Sequence, residues 1–170
     1  MARVSLILGG ARSGKSARAL ALAGTPPHVF IATAQALDVE MAERIRLHQA
    51  ERGTSWQVVE APLKLAKAIH AHAADGTTLL VDCLTLWLSN LMHHKRDVTV
   101  ETDALVAALA VVPCRVVLVS NEVGMGLTPM NALGREFRDA QGRLNQRIAA
   151  VADHVEFVAA GLPLVLKGGS

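Results

Sequence analysis

Residues 3–23 read RVSLILGGARSGKSARALALA. An apolar run ends in Gly9-x-x-x-x-Gly14-Lys15-Ser16, and an Ala-rich stretch follows. This is a complete Walker A pattern in the strand–loop–helix setting that the motif requires. Each residue type has a chemical reason. The loop Gly9, Gly10, Ala11, Arg12, Ser13, Gly14 lets backbone N–H groups turn inward around phosphate oxygens. The N-terminus of the following helix adds partial positive charge. Lys15 is expected to reach the β- and γ-phosphates, and the Ser16 hydroxyl to ligate Mg²⁺.

Outward from this loop, short apolar runs at 3–8, 28–33, 56–60, 78–82, 115–120, 154–159 and 162–166 read as strands. Most are continuous rather than alternating, which suits strands covered on both faces of a parallel sheet. Helical stretches are expected at 15–23, 37–52, 63–74, 99–112 and 131–151, with 84–95 a further candidate. Strand–helix alternation predicts an α/β fold with right-handed crossovers. Only Ala160 and Gly161 separate the last two runs, too few for a crossover, so these should form an antiparallel hairpin. No repeat or composition break divides residues 1–170, and one domain is expected. In the helix at 131–151, Leu133, Phe137, Leu144, Ile148 and Val151 form a stripe expected to face the core. Arg135, Arg138, Gly142 and Asn145 read as a solvated face, or as a surface for a substrate or a second subunit.

Composition narrows the class. The chain is 51% hydrophobic, 19% charged and 3% aromatic, with net charge +2. It is a globular protein without the basic, aromatic surface that nucleic acid needs. Cys83 and Cys114 show neither metal-ligand spacing nor a disulfide framework. No run is long enough to span a membrane, and the N-terminal run is a strand rather than a signal, so a cytoplasmic protein is expected.

Two acids belong near the loop. TTLLVD ends at Asp82, which reads either as a helix N-cap or as the Walker B acid; beside a Walker A loop the second is preferred. RVVLVSNE ends at Glu122. Acids at the carboxyl ends of neighbouring parallel strands converge on one crevice. Glu122 is therefore a candidate to position metal or accept a hydroxyl proton, against the reading of an exposed loop carboxylate. Gly124 and Gly126 follow, as in a loop over the site. On LDVEMAERIRLHQAERG, His48 sits between Arg44 and Arg52, one turn away on either side. It is either a partly buried histidine on an amphipathic helix or a nucleophile kept neutral by those cations.

Several blocks together resemble one family. They are GGARSGKS at 9–16, IATAQALDVEMAERIRLHQAERG at 31–53, W-x-x-x-E-A-P at 56–62 and VSNEVGMGLTPMNALGREFRDAQGRLNQRIA at 119–149. The family is the bifunctional adenosylcobinamide kinase/adenosylcobinamide-phosphate guanylyltransferase of cobalamin biosynthesis. The resemblance implies two reactions. ATP or GTP phosphorylates the aminopropanol hydroxyl of adenosylcobinamide, and GMP from GTP then passes through a histidine, matching His48, to that phosphate. It also implies nucleotide contacts at 9–16, Thr33, Ala34, Gln35, Gln49, Ala50, Glu51, Arg52, Glu60 and Asp82. A RecA-like P-loop fold, a corrinoid partner and a homotrimer complete what it implies. Without the resemblance, a single-function P-loop small-molecule kinase and a non-enzymatic nucleotide switch remain as alternatives.

Overall fold

A computed structural model describes residues 3–35 and 56–169. The expected helix at 37–52 lies outside the described residues. The elements are β1 (Val4–Gly9), α1 (Lys15–Ala23), β2 (His28–Ala32), β3 (Trp56–Glu60), α2 (Leu65–His72), β4 (Thr78–Asp82), α3 (Leu84–His93), α4 (Val98–Val111), β5 (Arg115–Asn121), α5 (Ala132–Val151), β6 (His154–Ala159) and β7 (Leu162–Lys167). Each expected strand is present within a residue or so of its expected bounds. The candidate helix at 84–95 is real.

The strands form one sheet in the order β3-β2-β4-β5-β1-β6-β7. All neighbours are parallel except β6 and β7, which pair antiparallel as expected from the two-residue connection. Because crossovers cover a parallel sheet on both faces, its central strands must be apolar throughout. Accordingly, every residue of β1 and β2 is buried.

The two faces differ. One carries the larger core, where Leu65 and Ile69 of α2, Trp87 and Leu91 of α3, Leu105 and Leu109 of α4, and Leu144 and Ile148 of α5 meet β-strand residues such as Leu6 and Leu118. The other face packs Ala19 and Leu22 of α1 on Ile7, Phe30, Val117 and Val119. Helix ends follow local chemistry. Asp97 caps α4 by accepting from Thr99 N and Val100 N, and Asn131 caps α5 by accepting from Gly134 N at 2.6 Å.

α5 corrects the sequence reading at both ends. Leu144 and Ile148 are buried and Phe137 packs against the core, but Leu133 is 67% exposed and Val151 lies at the surface. Asn145, read as part of a solvated face, is buried, and so is its neighbour Gln141. The helix thus covers the sheet with its middle turns only, and it includes amides in the covered stripe.

α1 is tied to β6 by a buried acid. Glu156 is 1% exposed and accepts from Arg18 Nε and Nη2, both at 2.7 Å. His154 Nε2 lies 2.9 Å from the same carboxylate. The Arg18 hydrogen bond outweighs desolvation and holds the Glu156 carboxyl below its ordinary range. Among the described residues, no helix is long and apolar enough to cross a membrane.

Candidate active site

The loop after β1 turns tightly because its backbone leaves no room for side chains at two points. A Cβ on Gly9 would lie 2.7 Å from Val158 O and closer still to Ser13 Oγ. Gly14 has φ 96°, and a Cβ there would meet Gly161 Cα at 3.0 Å. The residue it would strike belongs to the β6–β7 turn, whose Gly161 N donates to Ser13 O at 2.7 Å. The C-terminal hairpin therefore braces the loop from below. Ser13 Oγ is buried without a hydrogen-bond partner, so the cradle contains a polar group left for a ligand or water. Lys15 Nζ donates to Gly10 O at 2.8 Å, folding its charge back over the loop. Ser16 stands half-buried in the first turn of α1, while Gly10 is half-buried and Ala11 and Arg12 are exposed at the rim.

Topology brings the acids to this loop. The chain leaves β1 for β2 on one side of the sheet and leaves β5 for β6 on the other, so β1 and β5 flank a switch point. α1 and α5 lie on opposite faces there, opening a crevice at the carboxyl ends of the strands. Gly9 pairs with Asn121, and Glu122 N donates to Gly9 O at 2.9 Å. Asp82 ends β4, the neighbour of β5, at the level of Val119. It is not the N-cap of α3; Cys83 holds that position, without a side-chain cap. Lys15 and Asp82 act with opposite sign on the Cys83 thiol, which places both charges around the same point. Burial first, then Asp82, pushes that thiol up to about 11. The Glu122 carboxylate accepts from Gly124 N at 2.9 Å and from Met125 N at 3.0 Å, so it organises the loop after β5.

Thr33 differs from the expected nucleotide contact. It is fully buried, and its hydroxyl donates to Cys83 O at 2.7 Å while accepting from Cys83 N at 2.9 Å. Its own carbonyl accepts from Asn90 Nδ2 at 2.7 Å. Thr33 is thus a bolt between β2 and the segment carrying Asp82, with no exposed polar atom. Ala34 and Gln35 are half-buried beyond it, with Gln35 Nε2 3.4 Å from His94 Nε2, and Glu60 is exposed at the end of β3. His48, Gln49, Ala50, Glu51 and Arg52 lie outside the described residues. Polar groups that the sequence does not single out are Asn90, which also donates to Pro62 O; Thr85, whose hydroxyl accepts from Asn121 N at 2.8 Å; and Ser120 and Gln141, which are buried in a cluster with Asn145. The signal available was an amide or hydroxyl recurring on an otherwise apolar helix face.

A β-strand, a glycine-rich loop, a Lys-Ser helix start and an acid two strands away define a P-loop nucleotide-binding α/β protein. Within that class the chain belongs to the cobinamide kinase/cobinamide phosphate guanyltransferase family, whose model matches residues 5–166. It is 47% identical over 167 residues to the bifunctional adenosylcobalamin biosynthesis protein CobP of Pseudomonas aeruginosa, covering 96% of each chain. It is 42% identical over 178 residues to the bifunctional adenosylcobalamin biosynthesis protein CobU of Salmonella typhimurium, covering 95% of this chain and 98% of that one. A solved protein of Pyrococcus horikoshii OT3 shares the fold at TM-score 0.53 and 10% identity, covering 99% of this chain and 87% of that one.

Proposed function

We propose that this chain phosphorylates adenosylcobinamide with ATP or GTP at the 9–16 loop and then transfers GMP from GTP through His48, yielding adenosylcobinamide-GDP. The observation that carries the reading is the meeting of the Gly9–Ser16 loop, Asp82 and Glu122 around the β1–β5 crevice.

In the first step the substrate hydroxyl oxygen attacks the γ-phosphorus. A new P–O bond forms, the bond to the β-bridging oxygen breaks, the nucleoside diphosphate leaves and Glu122 takes the hydroxyl proton. Lys15 exchanges its contact with Gly10 O for phosphate oxygens, and the loop N–H groups hold the charge that moves onto the leaving group. Ser16 and Asp82 supply oxygen donors only, the type suited to Mg²⁺. Among the described residues no cluster of three or more His, Cys, Asp or Glu could cage a metal. A magnesium ion held through one or two protein oxygens, water and phosphate needs no such cage. When bound, it neutralises phosphate charge.

In the second step a His48 ring nitrogen attacks the α-phosphorus and pyrophosphate leaves. An oxygen of the corrinoid phosphate then displaces the histidine. Arg44 and Arg52, four residues before and after His48 in sequence, neutralise the transferring group. The family resemblance extends this reading to nucleotide contacts by Ala34, Gln35, Gln49, Ala50, Glu51, Arg52 and Glu60, and to a homotrimer. Thr33 takes part through its hold on Cys83.

The test incubates the protein with α-labelled GTP and Mg²⁺. Wild type should carry label of GMP mass, His48→Asn none, and His48→Asn should keep its kinase activity while Lys15→Ala loses it. Label on His48→Asn at the wild-type level refutes the histidine route. Loss of both activities together in both variants refutes separate roles.

A further inference from the structure

The peptide joining Asn121 to Glu122 is held at both of its polar atoms. Its carbonyl accepts from Asn145 Nδ2 at 3.2 Å, and its N–H donates to Gly9 O at 2.9 Å. One residue earlier, Asn121 N donates to Thr85 Oγ1 at 2.8 Å. Three elements therefore fix the end of β5: α5 through Asn145, the start of the phosphate loop through Gly9, and α3 through Thr85. A peptide plane gripped at its oxygen and its nitrogen cannot rotate, and its orientation sets the direction in which Glu122 leaves the sheet.

Asn145 is itself locked. Its Oδ1 accepts from Ser120 Oγ at 2.7 Å and from Gln141 Nε2 at 2.9 Å, and Gln141 Nε2 also reaches Ser120 Oγ at 3.0 Å. Ser120, Gln141 and Asn145 are all buried. Burying three polar side chains in a helix–sheet contact is unfavourable compared with apolar packing unless they have a use. In this network the two acceptor bonds at Oδ1 fix the amide rotamer, which leaves Nδ2 aimed at the Asn121 carbonyl.

We propose that Asn145 is a positioning residue for the phosphorylation step: it sets the Asn121–Glu122 peptide and so holds the Glu122 carboxylate where the substrate hydroxyl arrives. The proposal rests on Glu122 as the proton acceptor. Gln141 and Ser120 act only through Asn145, and Thr85 holds the same strand end through Asn121 N. A misplacement of about 1 Å at a reacting group can cost on the order of a hundredfold in rate.

The experiment measures steady-state phosphorylation of cobinamide by Asn145→Ala, Gln141→Leu, Glu122→Gln and the Asn145→Ala/Glu122→Gln double variant. For Asn145→Ala, kcat should fall about tenfold or more, with KM for nucleotide and cobinamide within about threefold of wild type. The double variant should be no slower than Glu122→Gln alone, because both changes remove one function. Gln141→Leu removes one of the two bonds that hold Asn145 Oδ1 and leaves the one from Ser120, so kcat should fall by less than in Asn145→Ala, again with KM within about threefold. Should Asn145→Ala fail to fold, the isosteric Thr85→Val loosens Asn121 and should show the same selective kcat loss. An unchanged kcat in a folded Asn145→Ala or in Thr85→Val, a parallel rise in KM, multiplicative losses in the double variant, or a larger kcat loss in Gln141→Leu than in Asn145→Ala each overturns the positioning role. A Glu122→Gln enzyme with wild-type kcat overturns the reading of Glu122 itself and is told apart because it fails without reference to Asn145.

Discussion

Replacing Thr33 with valine keeps its shape and removes only the hydroxyl, so the loss can be worked out bond by bond. The Thr33 hydroxyl serves Cys83 twice, donating to its carbonyl at 2.7 Å and accepting from its N–H at 2.9 Å. The carbonyl keeps a second partner, since Trp87 N donates to it at 3.2 Å. Losing that bond costs the net value of one hydrogen bond, about 0.5–1.5 kcal/mol. The Cys83 N–H is left unpaired at a buried position and costs about 1–3 kcal/mol. Thr33→Val should therefore destabilise the protein by about 1.5–4.5 kcal/mol, most of it from the orphaned N–H. Thr33→Ser keeps both bonds and loses one methyl, which costs about 1 kcal/mol. Equilibrium urea unfolding of the three proteins reads the difference, with m-values checked for constancy. The kinase rate should fall in Thr33→Val but not in Thr33→Ser, because Cys83 adjoins Asp82. A Thr33→Val protein as stable as Thr33→Ser refutes the bolt.

Other outcomes follow from particular contacts. Gly9→Ala sets a methyl 2.7 Å from Val158 O, so nucleotide affinity by titration calorimetry should fall more than about tenfold as the loop is displaced. Glu156 has a folded pKa below its ordinary value of 4.5, so its contribution is present above that pH and lost as pH falls through the folded value. Glu156→Gln should be less stable near neutrality and show a shallower loss of stability below pH 4.5 in acid unfolding scans. Cys83, pushed up to about 11, and Cys114, pushed up by burial, are both buried and free. A thiol reagent at neutral pH should label neither quickly in native protein and both after denaturation.

How much of this was legible in the sequence depends on the range of the interaction. The 9–16 loop was readable because its chemistry is local: glycines, lysine and serine are fixed by the phosphate they would serve. The terminal hairpin was readable because a two-residue connection leaves no other topology. Asp82 could not be separated from a helix cap until α3 was seen to start after Cys83. On α5, spacing alone put Leu133 in the core and Asn145 in solvent. Periodicity marks a face but neither how far along the helix the sheet extends, which leaves Leu133 exposed, nor how wide the covered stripe is, which buries Asn145 beside Leu144. The buried amides answer to Ser120 and Asn121, more than twenty residues earlier. For Thr33 the family resemblance implies a nucleotide contact, and nothing nearby in sequence reveals Cys83 as its partner.

The pairing of β1 also governs the order in which the molecule can be assembled. Among the described residues the sheet neighbours of β1 are β5 and β6, and its loop is braced by Gly161. A chain growing from its N-terminus thus makes the phosphate-binding strand before either of its partners and pairs it only after residues 115–159 have emerged. The earlier neighbours β2, β3 and β4 can register among themselves in the meantime. Nascent chains halted before β6 should hold no nucleotide, although the whole motif has already been translated. During that interval β1 is an apolar strand without its partners, the kind of segment most exposed to wrong pairings.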